Sequence, residues 1–560
     1  MEYQNKTTMK LAFPGKILFL AFVGSTCMNL SAQTIKKPKL VVGIVVDQMC
    51  YEYLYRYQAK FSGNGFVKLM KNGTHCRNTQ YNYVPTFTGP GHASVYTGTT
   101  PSNHGIVANE WFHRSLGKEV NCVEDTTVIP VGSDYKGGKR SPANLKANTI
   151  TDQLKMTYAD SKVIAVSIKD RSAILPGGHL SDGSYWFDYS TGGFLTSSYF
   201  KKELPAWVAD FNAQKKPDHY LTQTWNTLLP IEQYTESGPD DTPYEHLLAG
   251  KTAPVFPYDL KAMSGDKPNY DLFAYTPFAN TYLADFAMAA LKQEKLGKGK
   301  ASDFLCISFS TPDILGHAFG PYSVEIEDLY LRLDLEIAKI LKTLETEIGK
   351  DNFVFFLTAD HAVVPVPQYL TDRKLPGGYL FAAPFVQSLK EKVTAKFGAD
   401  FIAAEENNNV YFDRNIIREK GINLHEAQDF VKEEVRLWTG VKRVYSAYEL
   451  ESAGADDEWK DMVRRGYRYE ESGDVLFLLE PGYLPKYSAS EKAHRGTSHG
   501  SAFNYDTHVP LIWYGGGIPK QEIIRRVNIT DITATLVPIL QLQKPNATTG
   551  EPILEIFQKK

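Results

Sequence analysis

The chain has 560 residues, of which 43% are hydrophobic and 22% charged, and its formal net charge is −3. This balance is typical of a globular protein that has either one large domain with insertions or two to four domains. The near-neutral charge gives no reason to expect nucleic acid or an anionic membrane as a partner.

The N-terminus has the pattern of a secretory signal. Lys10 and Lys16 flank the start of an apolar run at 17–23, and small residues follow as far as Ala32. Because the run is too short to span a bilayer comfortably, a cleaved signal peptide at 1–32 is favoured over an uncleaved anchor. We therefore expect a periplasmic or secreted protein without stable membrane insertion.

Four cysteines remain after the signal, and none of them has CxxC spacing. They are Cys50, Cys76, Cys122 and Cys306. The sequence therefore gives no support to a zinc–thiolate or thioredoxin-type site, and it leaves open whether one disulfide forms after export.

The first predicted strand, residues 39–46, is an almost continuous apolar run that ends at Asp47. Such a run is typical of a strand buried on both faces, as in a parallel sheet. Open α/β sheets bind ligands at the carboxyl ends of their strands, so Asp47 is a candidate ligand residue. A helix-capping role is the alternative.

A loop that turns into a helix follows at residues 82–98. Pro85, Gly89 and Gly91 break regular structure, and Thr88 stands where the helix should begin. Helix N-termini bind phosphate readily. Thr88 is therefore either an ordinary helix cap or a nucleophile aimed at a phosphoryl group.

The next helix–strand pair is predicted at 147–160 and 162–168, and the strand ends in Lys169 and Arg171. These two cations are either a solvated edge or a clamp for phosphate oxygens. Residues 172–280 lose the alternation of helix and strand and are rich in Gly, Pro, Tyr and Trp. We interpret this segment as an insertion that covers the site.

Two further buried strands are predicted at 303–309 and 353–357. The first leads to Asp313 and His317, which share one helix face if this segment is helical, and the second ends in Asp360 and His361. Mixed histidine and carboxylate ligation suits zinc or a similar divalent metal. One such pair alone is usually structural, but three acid-bearing strand ends indicate a metal centre.

The remaining segments complete an α/β pattern. Helices are predicted at 280–293, 323–347 and 530–541, and a last strand at 508–514. Residues 375–485 change character and form a second predicted insertion of α+β type. The alternation predicts a mostly parallel sheet with helices on both faces, within a single catalytic domain at 33–560.

Taken together, these motifs resemble a known family. They are, in chain order, Val46-Asp47-Gln-Met, Pro85-Thr-x-Thr88-x-x-Gly-His92, Gly105-x-x-x-Asn109, Lys169-Asp-Arg171, Asp313-x-x-x-His317, Asp360-His361 and His499-Gly. The set is similar to the alkaline phosphatase superfamily, and more closely to its threonine-nucleophile, phosphate-irrepressible (PafA-type) alkaline phosphatases. The resemblance runs from Lys39 almost to the end of the chain.

The resemblance implies a three-layer α/β sandwich with two inserted cap or crown regions, and an exported hydrolase of small phosphate monoesters with two zinc ions. It assigns Asp313, His317 and His499 to one ion, and Asp47, Asp360, His361 and Thr88 to the other. Thr88 would form a phosphothreonine intermediate, and Asn109, Lys169 and Arg171 would bind phosphate oxygens. His494 and His508 are alternatives to His499, and His92 would support the loop. A monomer is expected.

Two rivals remain at this point. The first is a phosphodiesterase or phosphonate hydrolase of the same superfamily. The pair Lys169 and Arg171 argues against it, because a monoester presents three charged oxygens and gains more from two cations. The second is a binding protein with an inactive site, although every element of the metal and nucleophile set is present. Threonine at position 88 also argues against the sulfatases, which need cysteine or serine there.

Overall fold

An eleven-stranded sheet forms the centre of the computed structural model, which describes residues 35–452, 454, 457–486 and 494–558. Its strands in chain order are β1 Leu40–Val46, β2 Thr74–Gln80, β3 Pro130–Val131, β4 Val163–Ser167, β5 Gly183–Phe187, β6 Phe194–Ser197, β7 Asp303–Phe309, β8 Phe353–Thr358, β9 His508–Gly515, β10 Gln521–Ile523 and β11 Val527–Asn528. They lie in the order β10-β2-β9-β8-β1-β7-β4-β5-β6-β3, and β11 also pairs with β2.

The middle of this sheet is parallel. Strands β8, β1, β7, β4 and β5 are neighbours and run in one direction, whereas β9 is antiparallel to both β8 and β2. All seven residues of β1 are buried, as expected for a β-branched, apolar strand between parallel neighbours. The prediction of a mostly parallel sheet is confirmed.

Six helices form or adjoin the layers around the site. They are α1 Thr88–Thr97, α2 Asp170–Gly177, α3 Phe278–Gln293, α4 Thr311–Phe319, α5 Val324–Glu347 and α6 Asp531–Leu540. Helices α1, α2 and α6 pack together on one face, and α3 packs with α5 on the other. Tyr96 of α1 lies against Gly43, whereas Gly297, just after α3, lies against Leu40. Positions 40 and 43 face opposite sides of the sheet, so the architecture has three layers.

The other helices are mostly short and lie in the connections. They are Tyr53–Arg56, Phe66–Asn72, Pro101–His104, Ile150–Thr157, Ala206–Ala213, Lys216–Tyr220, Leu260–Ser264, Tyr270–Ala274, Pro367–Asp372, Ala382–Phe397, Arg414–Glu419, Leu424–Val435, Ala447–Glu451, Glu458–Gly466 and Asn504–Thr507. Among the helices that the structure describes, none is both long and apolar enough to cross a bilayer. The predicted signal peptide, residues 1–32, lies outside the described residues.

Residues 172–280 differ from their description as an insertion alone. Strand β5 pairs parallel with β4, and β6 pairs antiparallel with β5, so the first part of the segment extends the central sheet. Only the part after Ser197 is a long irregular excursion with short helices and a two-stranded ribbon at Thr224–Trp225 and Tyr258–Asp259. The richness of residues 172–280 in Gly, Pro, Tyr and Trp therefore reflects aromatic packing and does not show where the central sheet ends.

Residues 375–485 form a second α+β region with its own sheet. Its four strands are Ile402–Glu406, Asn409–Phe412, Val441–Ser446 and Val475–Leu479. Helices Ala382–Phe397 and Leu424–Val435 bury apolar side chains against these strands in a separate hydrophobic cluster. The four cysteines after the signal are free and buried, so no disulfide joins them in this structure.

Candidate active site

The candidate site lies where the parallel strands end. Asp47 follows β1 directly, Lys169 comes two residues after β4, and Asp360 comes two residues after β8. Helix α4 begins two residues after β7 and carries Asp313 in its first turn. Because these strands are parallel neighbours, their carboxyl ends meet at one edge and bring the four side chains together.

Thr88 is the first residue of α1, and its side chain does not cap the helix. The N-cap position belongs to Phe87, and no side chain accepts a capping bond there. The Thr88 Oγ1 atom instead lies 3.4 Å from His361 Nε2 and 3.5 Å from Lys169 Nζ. The hydroxyl therefore points at the cluster of charged side chains, and the capping interpretation does not hold.

The start of α1 is tied closely to the sheet edge. A Cβ on Gly91 would meet the carbonyl oxygen of Asp360 at 2.4 Å, so only glycine permits this approach. His92 Nδ1 donates to Thr88 O at 2.9 Å, and its Nε2 lies 2.8 Å from Ser308 Oγ. These contacts fix the position of Thr88 relative to the strand ends, which agrees with the supporting role expected for His92.

Two groups of acids and histidines have ligand atoms close enough to share a metal ion. Asp313, His317 and His499 form one group, and Asp47, Asp313 and His361 form the other. Within the first, Asp313 Oδ1 is 3.2 Å from His317 Nε2 and 3.4 Å from His499 Nε2. In the second, His361 Nε2 is 3.3 Å from Asp47 Oδ1 and 4.0 Å from Asp313 Oδ1. Asp360, which the resemblance assigns to this ion, is in neither group, although its Oδ2 atom lies 3.7 Å from His361 Nε2.

Each of the three histidines is held in the same way. The Nδ1 atom donates to a backbone carbonyl: His317 to Thr497 at 2.8 Å, His361 to Ala362 at 3.0 Å and His499 to Thr86 at 2.7 Å. This bond fixes a proton on Nδ1 and directs Nε2 toward the carboxylates, so a neutral ring would offer its Nε2 lone pair to a metal ion. The arrangement is the usual outer support of a histidine that ligates a metal.

The electrostatics of the site also favour a cation. Burial, together with the nearby carboxylates of Asp313 and Asp360, raises the pKa of Asp47 to about 6 although Lys169 opposes this shift. Burial and the positive charge of the His361 imidazolium lower the pKa of His499 to about 3, so the His499 imidazole stays neutral. The pKa of His361 itself is raised to about 9, because Asp360 and Asp47 outweigh the effect of burial. Asp47 Oδ1 and Asp360 Oδ2 are buried and have no hydrogen-bond partner within the part of the chain that the structure describes. The donor set therefore fits divalent metal of the zinc type.

Lys169 is the cation that the acids share. Its Nζ atom lies 2.8 Å from Asp47 Oδ2 and 2.5 Å from Asp313 Oδ2, and these acids raise its pKa against the effect of burial. Arg171 lies further along the edge, with its Nη1 atom 3.4 Å from Glu110 Oε1. Its Nε atom is buried and has no hydrogen-bond partner among the described residues. The structure thus brings Lys169 to Thr88 and places Arg171 beside Glu110.

Asn109 completes the surroundings of Thr88. Its Oδ1 atom accepts a hydrogen bond from Gly89 N at 2.7 Å, at the start of α1. The two alternative histidines lie elsewhere: His494 is exposed and packs edge-on against Tyr379, and His508 stacks on Tyr51 with ring centroids 4.3 Å apart. Of the three late histidines, only His499 joins the acids.

Sequence reasoning passed over Gln48 and Glu110. Both follow directly after a residue that it singled out, Asp47 and Asn109. Gln48 contacts Asp313 and Asp360, and Glu110 pairs with Arg171. Adjacency in sequence was the available signal, but neighbouring residues in an extended chain point in opposite directions, so it could not show that these side chains face the site.

The sequence is similar to a known protein family and to known proteins over most of its length. The family model of type I phosphodiesterase / nucleotide pyrophosphatase matches residues 41–502. Alkaline phosphatase PafA of Elizabethkingia meningoseptica is 41% identical over 531 residues, which are 93% of this chain and 95% of that protein. A protein of Myroides odoratus named calcium-transporting ATPase is 39% identical, with 95% of this chain and 96% of that protein covered.

A solved structure of one of these relatives has the same fold as this chain. The crystal structure of wild-type PafA matches with a TM-score of 0.88 and 40% sequence identity, covering 93% of this chain and 99% of that one. The similarity thus extends over both the central sheet and the two predicted inserted regions. The chain belongs to the type I phosphodiesterase / nucleotide pyrophosphatase family, within the group of relatives that contains alkaline phosphatase PafA.

Proposed function

We propose that this protein is an exported, zinc-dependent alkaline phosphatase that hydrolyses phosphate monoesters through a phosphothreonine at Thr88. The observation that carries the proposal is the position of the Thr88 hydroxyl. This hydroxyl does not cap helix α1, and its Oγ1 atom lies 3.4 Å from His361 Nε2. It therefore lies next to the two groups of acids and histidines whose ligand atoms could share a metal ion. The similarity to alkaline phosphatase PafA supports the same reaction.

Thr88 is the nucleophile in this proposal. Its Oγ1 forms a bond to phosphorus, the bond from phosphorus to the leaving alcohol breaks, and water later releases phosphate from Thr88. The hydrogen bonds of His92 and Asn109 to the backbone at the start of α1 support a fixed orientation of the Thr88 hydroxyl. A nucleophile held in a reactive orientation lowers the entropic part of the activation barrier. The buried position of Thr88, 1% exposed, limits competing solvent.

Asp313, His317 and His499 would hold one zinc ion, and Asp47, Asp360 and His361 the second, with Thr88 as a further ligand. When bound, such ions make a hydroxyl a stronger nucleophile and stabilise the charge on the departing oxygen. The backbone-anchored histidines support this assignment, and so do Asp47 Oδ1 and Asp360 Oδ2, which form no hydrogen bond with any described residue. Nothing else in the proposal depends on the identity of the metal.

Lys169, Arg171 and Asn109 would bind the oxygens of the transferring phosphoryl group. Two cations favour the dianionic phosphate of a monoester over a diester, in which one oxygen is esterified. The family model covers phosphodiesterases as well, so diester hydrolysis is the rival activity. The choice between monoester and diester hydrolysis therefore depends on Lys169 and Arg171.

Export and oligomeric state complete the proposal. Lys10, Lys16 and the apolar run at 17–23 support a signal peptide that is cleaved near Ala32, and hence a periplasmic or secreted enzyme. We propose that the mature chain acts as a monomer on small-molecule substrates. Size-exclusion chromatography with light scattering measures this state directly.

The test compares hydrolysis of one aryl phosphate monoester and its methyl diester by zinc-loaded wild type and variants. We expect Thr88→Ala to lose at least about 10³-fold in kcat/KM for both substrates, because the variant lacks the proposed nucleophile. We expect Lys169→Ala/Arg171→Ala to lose about 10²-fold or more for the monoester and much less for the diester. Lys342→Ala/Lys420→Ala, which removes two exposed cations, is the matched control and should change neither.

The outcomes separate the candidates. If Thr88→Ala keeps full activity, Thr88 is not the nucleophile. If the clamp variant leaves the ratio of monoester to diester turnover unchanged, the monoesterase assignment fails and the diesterase takes its place. If the zinc-loaded wild type hydrolyses neither ester, the protein is not a phosphatase of this kind.

A further inference from the structure

Gln48 stands directly after Asp47 and has an unusual backbone conformation. Its φ is +64°, in the left-handed region that non-glycine residues rarely adopt, and only 2% of its surface is exposed. Such a conformation is kept when the surrounding contacts favour it by more than its cost, and it is common at functional sites. The conformation turns both the backbone amide and the side chain of Gln48 into the site.

The two polar groups of Gln48 reach one carboxylate from each of the two zinc sites proposed above, Asp313 and Asp360. Its Nε2 atom donates to Asp313 Oδ1 at 2.6 Å, and its backbone N donates to Asp360 Oδ1 at 3.2 Å. Both bonds are fully buried. The Asp313 oxygen that accepts from Gln48 is the one that faces His317 Nε2 and His499 Nε2.

A neutral donor suits this place. Lys169 already brings one positive charge to Asp313 Oδ2, and a second cation, a lysine or arginine at position 48, would add to the repulsion of a metal ion held by the same carboxylate. An amide N–H directs the carboxylate and leaves its charge for the metal. The amide orientation follows from the chemistry, because a carboxylate can only accept and the amide oxygen cannot donate.

The chain also keeps space for this side chain. A Cβ on Gly316, in α4 between Asp313 and His317, would lie 1.8 Å from Gln48 Oε1. Glycine at position 316 therefore lets the Gln48 amide pass over α4 to reach Asp313. An alanine there would displace the amide, which is the end of a flexible side chain, without any need to move the backbone.

We propose that Gln48 is a positioning residue that fixes the carboxylates of Asp313 and Asp360, and so sets both halves of the metal centre for zinc. The proposal rests on the proposed function, since it assumes that these carboxylates ligate metal. It goes beyond that function because Gln48 contacts neither substrate nor metal in this role and acts through the acids.

The test measures zinc binding without any turnover. Zinc per chain and the zinc dissociation constants are determined by chelator competition for wild type, Gln48→Ala, Gly316→Ala and the double variant. We expect Gln48→Ala to weaken zinc binding by about 10- to 100-fold, the usual effect of removing an outer support of a ligand. Gly316→Ala should have a similar effect, and the double variant should be no worse than Gln48→Ala alone.

Two controls keep the result interpretable. Gln541→Ala removes an exposed glutamine that also has a positive φ, +56°, and should leave zinc binding unchanged. Gln48→Glu keeps the size of the side chain but places a second carboxylate against Asp313, and it should not restore the wild-type zinc affinity. Far-UV circular dichroism and thermal unfolding confirm that each variant is folded.

Failure of this inference and failure of the proposed function look different. If wild type binds two zinc ions and folded Gln48→Ala binds them equally well, the role of Gln48 is overturned and the phosphatase proposal stands. Additive losses from Gln48→Ala and Gly316→Ala would also overturn it, because the two changes should act on one hydrogen bond. If wild type binds no zinc, both proposals fail.

Discussion

At the scale of single residues, burial and hydrogen bonding decide what each ionisable group can do. Glu245 illustrates this outside the candidate site. It is 2% exposed, and its Oε2 atom is buried with no hydrogen-bond partner among the residues described in the structure. Burial, and then the nearby carboxylate of Glu325, raise the pKa of Glu245 to about 10 from an ordinary value near 4.5. The folded protein therefore favours the protonated form of this side chain.

This shift predicts a pH-dependent gain from Glu245→Gln. A carboxyl whose pKa is raised by folding contributes stability below its unfolded pKa and loses it as pH rises through the folded pKa. The neutral variant has no such loss, so its advantage over wild type should grow between pH 6 and pH 9 by at least about 1 kcal/mol. The measurement is the free energy of urea unfolding at both pH values.

Glu551→Gln is the matched control, because Glu551 is exposed and its pairing with Lys544 at 3.9 Å is a surface contact. It should change stability by less than about 0.5 kcal/mol at either pH. An equal effect of Glu245→Gln at pH 6 and pH 9 would contradict the prediction, since the gain must follow the ionisation of Glu245.

At the scale of elements, one buried acid connects the second inserted region to the catalytic part of the chain. Asp474 is fully buried and accepts from Phe412 N at 2.9 Å, Arg414 Nη2 at 2.8 Å and Arg114 Nη2 at 3.1 Å. Arg114 belongs to the loop after strand Glu110–His113, close to Asn109. The 375–485 region is therefore anchored next to the candidate site by charge as well as by packing.

Removing that acid should be costly. We expect Asp474→Ala to destabilise the protein by about 3 kcal/mol, because two largely buried guanidinium groups lose their shared partner. Thermal and urea unfolding measure the loss. Glu433→Ala, which breaks the exposed pair with Arg436, should cost less than about 0.5 kcal/mol. A small effect of Asp474→Ala would show that solvent reaches both arginines and that the anchor is apolar.

The elements also show how far a sequence pattern extends. The apolar runs at 39–46, 303–309 and 353–357 correspond to β1, β7 and β8 within one residue, because a strand buried on both faces must be apolar throughout. Strands β5 and β6 could not be recognised from the sequence pattern, since the aromatic and glycine residues in Gly183–Phe187 resemble the composition of a loop. Their place in the sheet depends on pairing with β4, which local sequence does not encode.

At the scale of the whole molecule, we expect bound metal ions to contribute to the stability of the folded state. The site gathers Asp47, Asp313 and Asp360 in the interior, close to Lys169, and these acids raise the pKa of His361 to about 9 against the effect of burial. A bound metal ion would supply positive charge at the same place. A ligand that binds only the folded state stabilises it by about 2.7 kcal/mol at a hundred times its dissociation constant.

Chelation should therefore lower both stability and activity. We expect treatment with EDTA to abolish phosphatase activity and to reduce the unfolding temperature by several degrees, and added zinc to restore both. Calorimetry with parallel metal analysis measures the two effects. Magnesium, which prefers oxygen ligands, should restore neither. An unfolding temperature that stays constant after complete zinc removal would contradict the prediction.

The sequence by itself determined the α/β class, the parallel centre of the sheet and the types of residue at each strand end, because these follow from local hydrophobic pattern and from side-chain chemistry. It left open whether Thr88 caps a helix, and which late histidine joins the acids. Only the tertiary structure decided that Thr88 Oγ1 faces His361, that His499 rather than His494 or His508 meets Asp313, and that Gln48 bridges Asp313 and Asp360. The physical reason is that these contacts join residues from 186 positions apart, for Asp313 and His499, to 312 positions apart, for Gln48 and Asp360, and such contacts are set by strand pairing and helix packing across the whole chain.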